Sequence, residues 1–158
     1  MEKIASFTVN HLNLKPGLYL SREDKVGDRT IKSYDLRVTS PNFEPVLNTA
    51  EIHTIEHLGA TFLRNDAQYK DEVIYFGPMG CRTGFYLILT DAVENSEVLA
   101  LLQRTFKFIA EYDGEIPGAS ARDCGNYLDQ NLPMARYFGE RYYNTLLGVT
   151  DLSFSYED

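Results

Sequence analysis

Apolar residues recur along this chain in two rhythms, and the rhythms mark out helical and extended stretches. After Asn48, the positions Ile52, Ile55, Leu58, Gly59, Phe62 and Leu63 return every three or four residues, which is the spacing of one helix face. Asn48 with Glu51 three residues on makes a capping pair, the Asn oxygen taking an orphan backbone N–H while the Glu reaches back, so this helix is predicted to begin there. A second amphipathic helix is predicted from Ser96 to Tyr112, where Val98, Leu101, Leu102, Phe106 and Ile109 form the face that packs on a sheet. Pro133 is placed to open a third, running through Tyr137, Phe138, Tyr142 and Leu146 and ended by Gly148.

Extended segments show a different pattern. Alternation over Ile4–Val9 predicts a first short strand, closed by Asn10-His11 and a turn at Lys15-Pro16-Gly17. A polar loop is expected from Ser21 to Arg29, then a strand over Thr30–Val38 with Ile31, Leu36 and Val38 as its clear apolar members, closed by Ser40-Pro41-Asn42. Val73–Phe76 and Phe85–Leu89 are compact apolar runs of the buried-strand type. Between them, Gly77 to Gly84 carries three glycines and a proline in eight residues, a tight connection in which glycine permits positive φ or close approach of the main chain. Cys81 sits in its middle. Leu152–Tyr156 reads as a terminal strand or a loose tail, and no repeat, low-complexity tract or linker interrupts residues 1–158, so a single domain is expected.

Charge and composition narrow the partners. A formal charge of −8 argues against a nonspecific hold on phosphate backbones or anionic membranes, so neither nucleic acid nor a membrane is an expected partner. The opening residues Met1–Ser6 lack the charged and apolar regions of a signal peptide, and no apolar stretch approaches the roughly 20 residues of a membrane helix. A cytoplasmic protein is expected. In a reducing compartment its two cysteines, Cys81 and Cys124, are better suited to metal binding or reactivity than to a structural disulfide.

The chemistry concentrates in His53-Thr54-Ile55-Glu56-His57. At roughly 100° per residue, with His53 at zero, His57 falls near +40° and Glu56 near −60°, so the three side chains share about a third of the helix circumference. Two imidazoles four apart can grip a divalent cation and the carboxylate can serve as its acid/base group, in the H-x-x-E-H order. Ala60 and Arg64 extend the same face. A catalytic metal wants a third protein ligand and an open position. Cys124 and Cys81 are the soft candidates and Glu111, Glu115 and Glu140 the hard ones. A thiolate would complete a set suited to Zn²⁺ or Fe²⁺, and the Gly-rich setting of Cys81 suggests that it meets a substrate, leaving Cys124 for the metal.

Five segments carry a more specific signal: Ser6–His11, Tyr34–Arg37 with Pro41-Asn42, His53–Leu58, Pro78–Tyr86 and Cys124–Tyr127. Over residues 4 to about 147 their order and approximate spacing resemble the S-ribosylhomocysteine lyases, which make the precursor of the autoinducer-2 signal, and the run Pro78-Met79-Gly80-Cys81-Arg82-Thr83-Gly84-Phe85-Tyr86 is close to diagnostic. The resemblance implies an α+β fold of the inverted-motif metallohydrolase kind, an antiparallel sheet with helices packed on it, assembled as a homodimer with two sites at the interface. It implies His53, His57 and Cys124 as ligands of Fe²⁺, with Zn²⁺ or Co²⁺ able to substitute, Glu56 and Cys81 as the acid/base pair, and Ser6, His11, Arg37 and Arg64 near the substrate. Asn10 stands where the family commonly has Asp, and Tyr75 where many members have an acidic residue, so the holding of the substrate's amino-acid tail is expected to differ.

The implied reaction moves the carbonyl of S-ribosylhomocysteine from C1 to C2 to C3 and then expels homocysteine, leaving 4,5-dihydroxy-2,3-pentanedione. Cys81 is expected to act as a thiolate at the early carbons, helped by Arg82, with Glu56 at the later ones. Two other readings fit the motif: an inverted-motif metallopeptidase with Glu56 activating water, which needs a downstream Glu as third ligand, and a noncatalytic domain that keeps a metal for stability and senses a ligand.

Overall fold

The computed structural model describes residues 1–157. Four strands, β1 (Gly17–Val26), β2 (Arg29–Arg37), β3 (Val73–Pro78) and β4 (Gly84–Thr90), form one antiparallel sheet in the order β1-β2-β4-β3. Three helices, α1 (Thr49–Leu63), α2 (Asn95–Glu111) and α3 (Leu132–Leu147), complete the α+β architecture. The period-two pattern of β2 and β4 explains why the helices lie where they do. Tyr34 and Leu36 pair with Leu87 and Phe85, and with Leu89 they turn wholly buried side chains to one face. Ile55 and Leu58 of α1, Leu102 and Phe106 of α2, and Tyr142 and Leu146 of α3 complete this core.

Helix α1 begins as its sequence predicts. The capping box between Asn48 and Glu51 is present, with Glu51 Oε1 accepting the Asn48 N–H at 2.7 Å. Its core face, Ile52, Ile55, Leu58, Gly59 and Leu63, is buried, which turns His53, Glu56 and His57 toward the opposite border. Gly59 lets the helix approach β3 closely, since a Cβ there would stand 2.4 Å from the ring of Phe76.

Three expectations are corrected. Ile4–Val9 is not a strand: Ala5–Phe7 is a short 3-10 turn with Ile4 and Phe7 exposed, so the alternating apolar residues have no sheet neighbour to pair with. Ser21–Arg29 is not a loop but the far half of β1 and the start of a hairpin, its Val26–Arg29 pair joined by a two-residue turn with Gly27 at φ 65°. That half of β1 is mostly exposed and is held by main-chain pairing, which explains its polar composition. Among Gly77, Gly80 and Gly84 none has positive φ; Arg82 takes the left-handed conformation instead, at φ 60°. Leu152–Tyr156 forms no strand, although the Phe154 carbonyl accepts the Leu20 N–H of β1 at 2.7 Å.

The sheet positions two clusters, one through α1 and the other through the ends of β2, β3 and β4. Gly84 is the pivot of the second. It pairs with Arg37, and a Cβ on it would lie 2.2 Å from the Leu36 carbonyl oxygen, which is main chain and cannot swing aside. Gly84→Ala is therefore expected to lose about 2 kcal/mol or more of stability in urea unfolding. A variant as stable as the parent would show that β2 and β4 part at this point without cost.

Candidate metal centre and thiol cavity

The first cluster is built by a loop folded over α1. Pro117 O lies 2.6 Å from His57 Nδ1 and Asp129 O lies 2.8 Å from His53 Nδ1. A carbonyl only accepts, so each Nδ1 carries the proton and each Nε2 keeps its lone pair. Gly118, at φ 70°, gives the loop this approach, for a Cβ there would be 3.4 Å from His57 Nδ1. Thr54 Oγ1 fastens the far end, accepting the Asn131 N–H at 2.9 Å.

Between the two anchors the same loop delivers Cys124. Its Sγ is 3.3 Å from His53 Nε2, the two Nε2 atoms are 2.9 Å apart, and the ligand atoms of His53, His57 and Cys124 all lie within 4.8 Å of one another. Two lone pairs facing each other at that distance repel unless a cation lies among them. Two imidazole nitrogens and a sulfur also form the mixed donor set that a borderline divalent ion prefers, and three donors leave a coordination position open. The residues therefore fit a catalytic metal. Glu56 lies at its edge, with Oε2 3.7 Å from His57 Nε2.

The second cluster surrounds Cys81 in a cavity of about 360 Å³ on the open side of the sheet, lined among others by Ser6, His11, Asp35, Arg37 and Tyr156. Asp35 and Arg37 share one face of β2 and are almost wholly buried as a two-pronged ion pair, Nε–Oδ1 at 3.1 Å and Nη2–Oδ2 at 2.6 Å. The third corner of the guanidinium, Nη1, donates to Thr83 Oγ1 at 2.7 Å and faces Cys81 Sγ at 3.8 Å. Burial alone would raise the Cys81 thiol; hydrogen bonds from the Thr83 hydroxyl and main chain, together with the charge of Arg37, outweigh it and hold the thiol below its ordinary value. At a given pH more of Cys81 is thiolate, the form that accepts protons.

The structure thus brings His53, His57 and Cys124 together with Glu56 beside them, and gathers Cys81, Ser6, His11 and Arg37 in a separate cavity lined by none of those four. Glu111, Glu115 and Glu140 are not in the donor cluster. Arg64 lies on the histidine side of α1 with its guanidinium on the Val73 and Ile74 carbonyls, and it does not line the thiol cavity. The cation that faces the Cys81 sulfur is Arg37; the left-handed backbone of Arg82 ties its N–H to Met79 O and its carbonyl to Leu47 N. Sequence reasoning missed Asp35, Thr83 and Tyr156. For Asp35 a signal existed, since it stands two residues before Arg37 and so shares its strand face.

Comparison with known proteins fits this geometry. The family model for S-ribosylhomocysteinase (LuxS) matches residues 4–152. The chain is similar to the S-ribosylhomocysteine lyase of Clostridium acetobutylicum, 60% identical over 158 residues and the full length of both chains. It is also similar to those of Clostridium beijerinckii, 58% identical over 99% of each chain, and Finegoldia magna, 56% identical over 94% of each.

Two outcomes are expected from the cluster geometries. Elemental analysis of purified protein should find a transition metal that Cys124→Ala or His53→Ala loses and Cys81→Ala retains, because only the first two remove a donor. Alkylation of Cys81 by iodoacetamide should rise with pH through a midpoint below that of a free cysteine, and Thr83→Val, which deletes the hydroxyl at 3.1 Å from Sγ, should move that midpoint up.

Proposed function

The chain belongs to the S-ribosylhomocysteinase (LuxS) family, and from that premise we propose that its two clusters are the halves of one lyase site, which cleaves S-ribosylhomocysteine to homocysteine and 4,5-dihydroxy-2,3-pentanedione. The observation that carries this reading is the donor set at the edge of α1, with two imidazole lone pairs and a thiol converging beside a carboxylate. The resident ion proposed is Fe²⁺, with Zn²⁺ or Co²⁺ able to take its place, and it supplies Lewis acidity to the sugar oxygens whose carbons lose protons.

The chemistry defines the work left to the side chains. A thioether leaves only from a carbon beside a developing carbanion, so a carbonyl must first reach C3. One proton is taken from C2 and returned at C1, a second is taken from C3 and returned at C2, and a third is taken from C4 as the C5–S bond breaks and the sulfur leaves as the thiol; the enol left behind gives up its hydroxyl proton and gains one at C5, becoming the dione. No water or oxidant is consumed. Cys81, held toward thiolate by Thr83 and Arg37, suits the early transfers. Glu56 suits the later ones and the elimination. Ser6, His11 and Arg37 are proposed to hold the sugar and its tail, since His11 Nδ1 is engaged with Val9 O and keeps Nε2 free. Arg64 is proposed as a further substrate contact from the α1 side. Cys124 in the donor set argues against the peptidase reading, which calls for a carboxylate as the third ligand.

The proposed assembly is a homodimer with each site at the interface. Its support is the separation of Cys81 and its cavity from the donor cluster within one chain, so that a second copy can bring a thiol to each cluster. A cytoplasmic location is proposed with it, in keeping with two unpaired cysteines; among the described residues no helix is long and apolar enough to cross a membrane.

A thiol assay after addition of S-ribosylhomocysteine tests the reaction: homocysteine is released by the parent and not by Cys81→Ala, and Glu56→Gln keeps its metal while turnover falls by about 10²–10⁴-fold. Near-normal turnover in Glu56→Gln would remove that residue from the mechanism. Mixing unfolded Cys81→Ala and Glu56→Gln chains and refolding them together tests the shared site. If each site takes Glu56 from one chain and Cys81 from the other, roughly a quarter of the parent activity returns; if both come from one chain, none does.

A further inference from the structure

The family match ends at Leu152, yet the chain beyond it delivers Tyr156 into the lining of the thiol cavity. Asn95 Nδ2 holds the Leu152 carbonyl at 2.7 Å. Phe154 then takes the left-handed conformation at φ 53°, which a bulky side chain keeps only where its surroundings impose it. Those surroundings are present: its ring is buried edge-on against Tyr34 at 6.1 Å, and its carbonyl accepts the Leu20 N–H of β1. This turn sends Phe154 into the core and Tyr156, two residues on, over the open face of the sheet.

There Tyr156 meets a site prepared for it. Its ring stacks on Tyr19, with centroids 4.8 Å apart and planes 11° from parallel. Its hydroxyl donates to Asp35 Oδ2 at 2.8 Å, the same oxygen that receives Arg37 Nη2 at 2.6 Å. With those bonds the buried carboxylate has a donor on both prongs from Arg37 and a third from the phenol. The phenol draws off part of the carboxylate's charge, which leaves more of the guanidinium's charge for Nη1 to present to Cys81 Sγ.

We propose that Tyr156 is a positioning residue for the proposed lyase reaction: its hydroxyl sets the Asp35–Arg37 pair so that Arg37 turns a charged N–H to the Cys81 sulfur, and its ring walls the cavity where the sugar meets that sulfur. The claim rests on the lyase reading for its substrate but not for its effect on Cys81 through Asp35 and Arg37. The direction of the Cys81 shift agrees with it, because Arg37 is among the groups that lower that thiol. A tail serving only to seal the core would need Phe154 and no hydroxyl on residue 156.

Tyr156→Phe keeps the stack and removes only the donor. In protein as purified, iodoacetamide alkylation of Cys81 at neutral pH, followed by mass spectrometry of the Cys81 peptide, should slow by about threefold to tenfold, with the melting temperature unchanged. The kcat for homocysteine release should fall by a similar factor while KM stays within about twofold, and Tyr156→Leu, which also removes the wall, should raise KM as well. Parent-like alkylation and kcat in Tyr156→Phe would overturn the proposal, and a parent-like KM in Tyr156→Leu would remove the walling role. If the parent released no homocysteine, the lyase reading would fail, and the alkylation comparison would still decide what Tyr156 does for Cys81.

Discussion

Two backbone carbonyls, those of Pro117 and Asp129, decide which nitrogen of each imidazole is free, and the metal centre depends on that decision. By accepting hydrogen bonds from both Nδ1–H groups they leave two Nε2 lone pairs 2.9 Å apart with a cysteine sulfur against one of them. Such an arrangement is unfavourable in itself and becomes favourable with a cation among the donors. A cation bound there would couple loop and helix: its binding free energy would help to hold residues 117–131 on α1, and the loop in turn orients the donors. Because the orienting groups are main chain, this coupling constrains how the loop folds more than which side chains it carries.

The thiol cavity rests on a different bargain. Burying a carboxylate and a guanidinium costs several kcal/mol for each ion, and a well-packed apolar pair is often at least as stable. Asp35 and Arg37 are nonetheless almost fully buried, and their hydrogen-bonding capacity is used with unusual completeness: two prongs between them, one corner of Arg37 on Thr83 and a phenol on Asp35. A stability argument does not account for that expense, whereas fixing a positive charge beside Cys81 does. Removing one partner would leave the other as an uncompensated buried charge, so the pair is rigid as well as costly. This is the property wanted in a group that holds a thiol below its ordinary proton affinity without moving.

How much of this was legible in the sequence follows from how local each signal is. The three helices, β3, β4 and the half-buried β2 were readable because each buries one continuous face, and His53, Glu56 and His57 were readable because helix geometry alone brings them together. Cys124 is 67 residues beyond His57 and was reached only by ligand chemistry and by resemblance. The far half of β1 was missed because its strand is held by pairing and not by burial, although Gly27-Asp28 between two charged arms was a hairpin signal that polarity masked. The error at Ile4–Val9 has the opposite cause, an apolar alternation with nothing in this chain to cover it. Sequence adjacency points to Arg82 as the partner of Cys81, whereas the guanidinium that faces the sulfur, Arg37, comes from a strand 44 residues earlier, a pairing that only the sheet register creates.

The division of the chemistry between a helix border and the mouth of a sheet has a physical logic on the proposed reading. A thiolate and a carboxylate that must each exchange a proton with the same sugar are poor neighbours, because two anions close together raise each other's proton affinity and one of them ceases to act as a base. Mounted apart, each takes its own environment. Cys81 has a fixed guanidinium and a hydroxyl, while Glu56 has the edge of a metal site whose charge offsets its own. The substrate is then the only bridge between them, and proton transfer from one group to the other cannot occur until it is bound. Placing the two on different copies of the chain would make that separation permanent, since within a single chain Glu56 is fixed on α1 and Cys81 in the short connection pinned between β3 and β4.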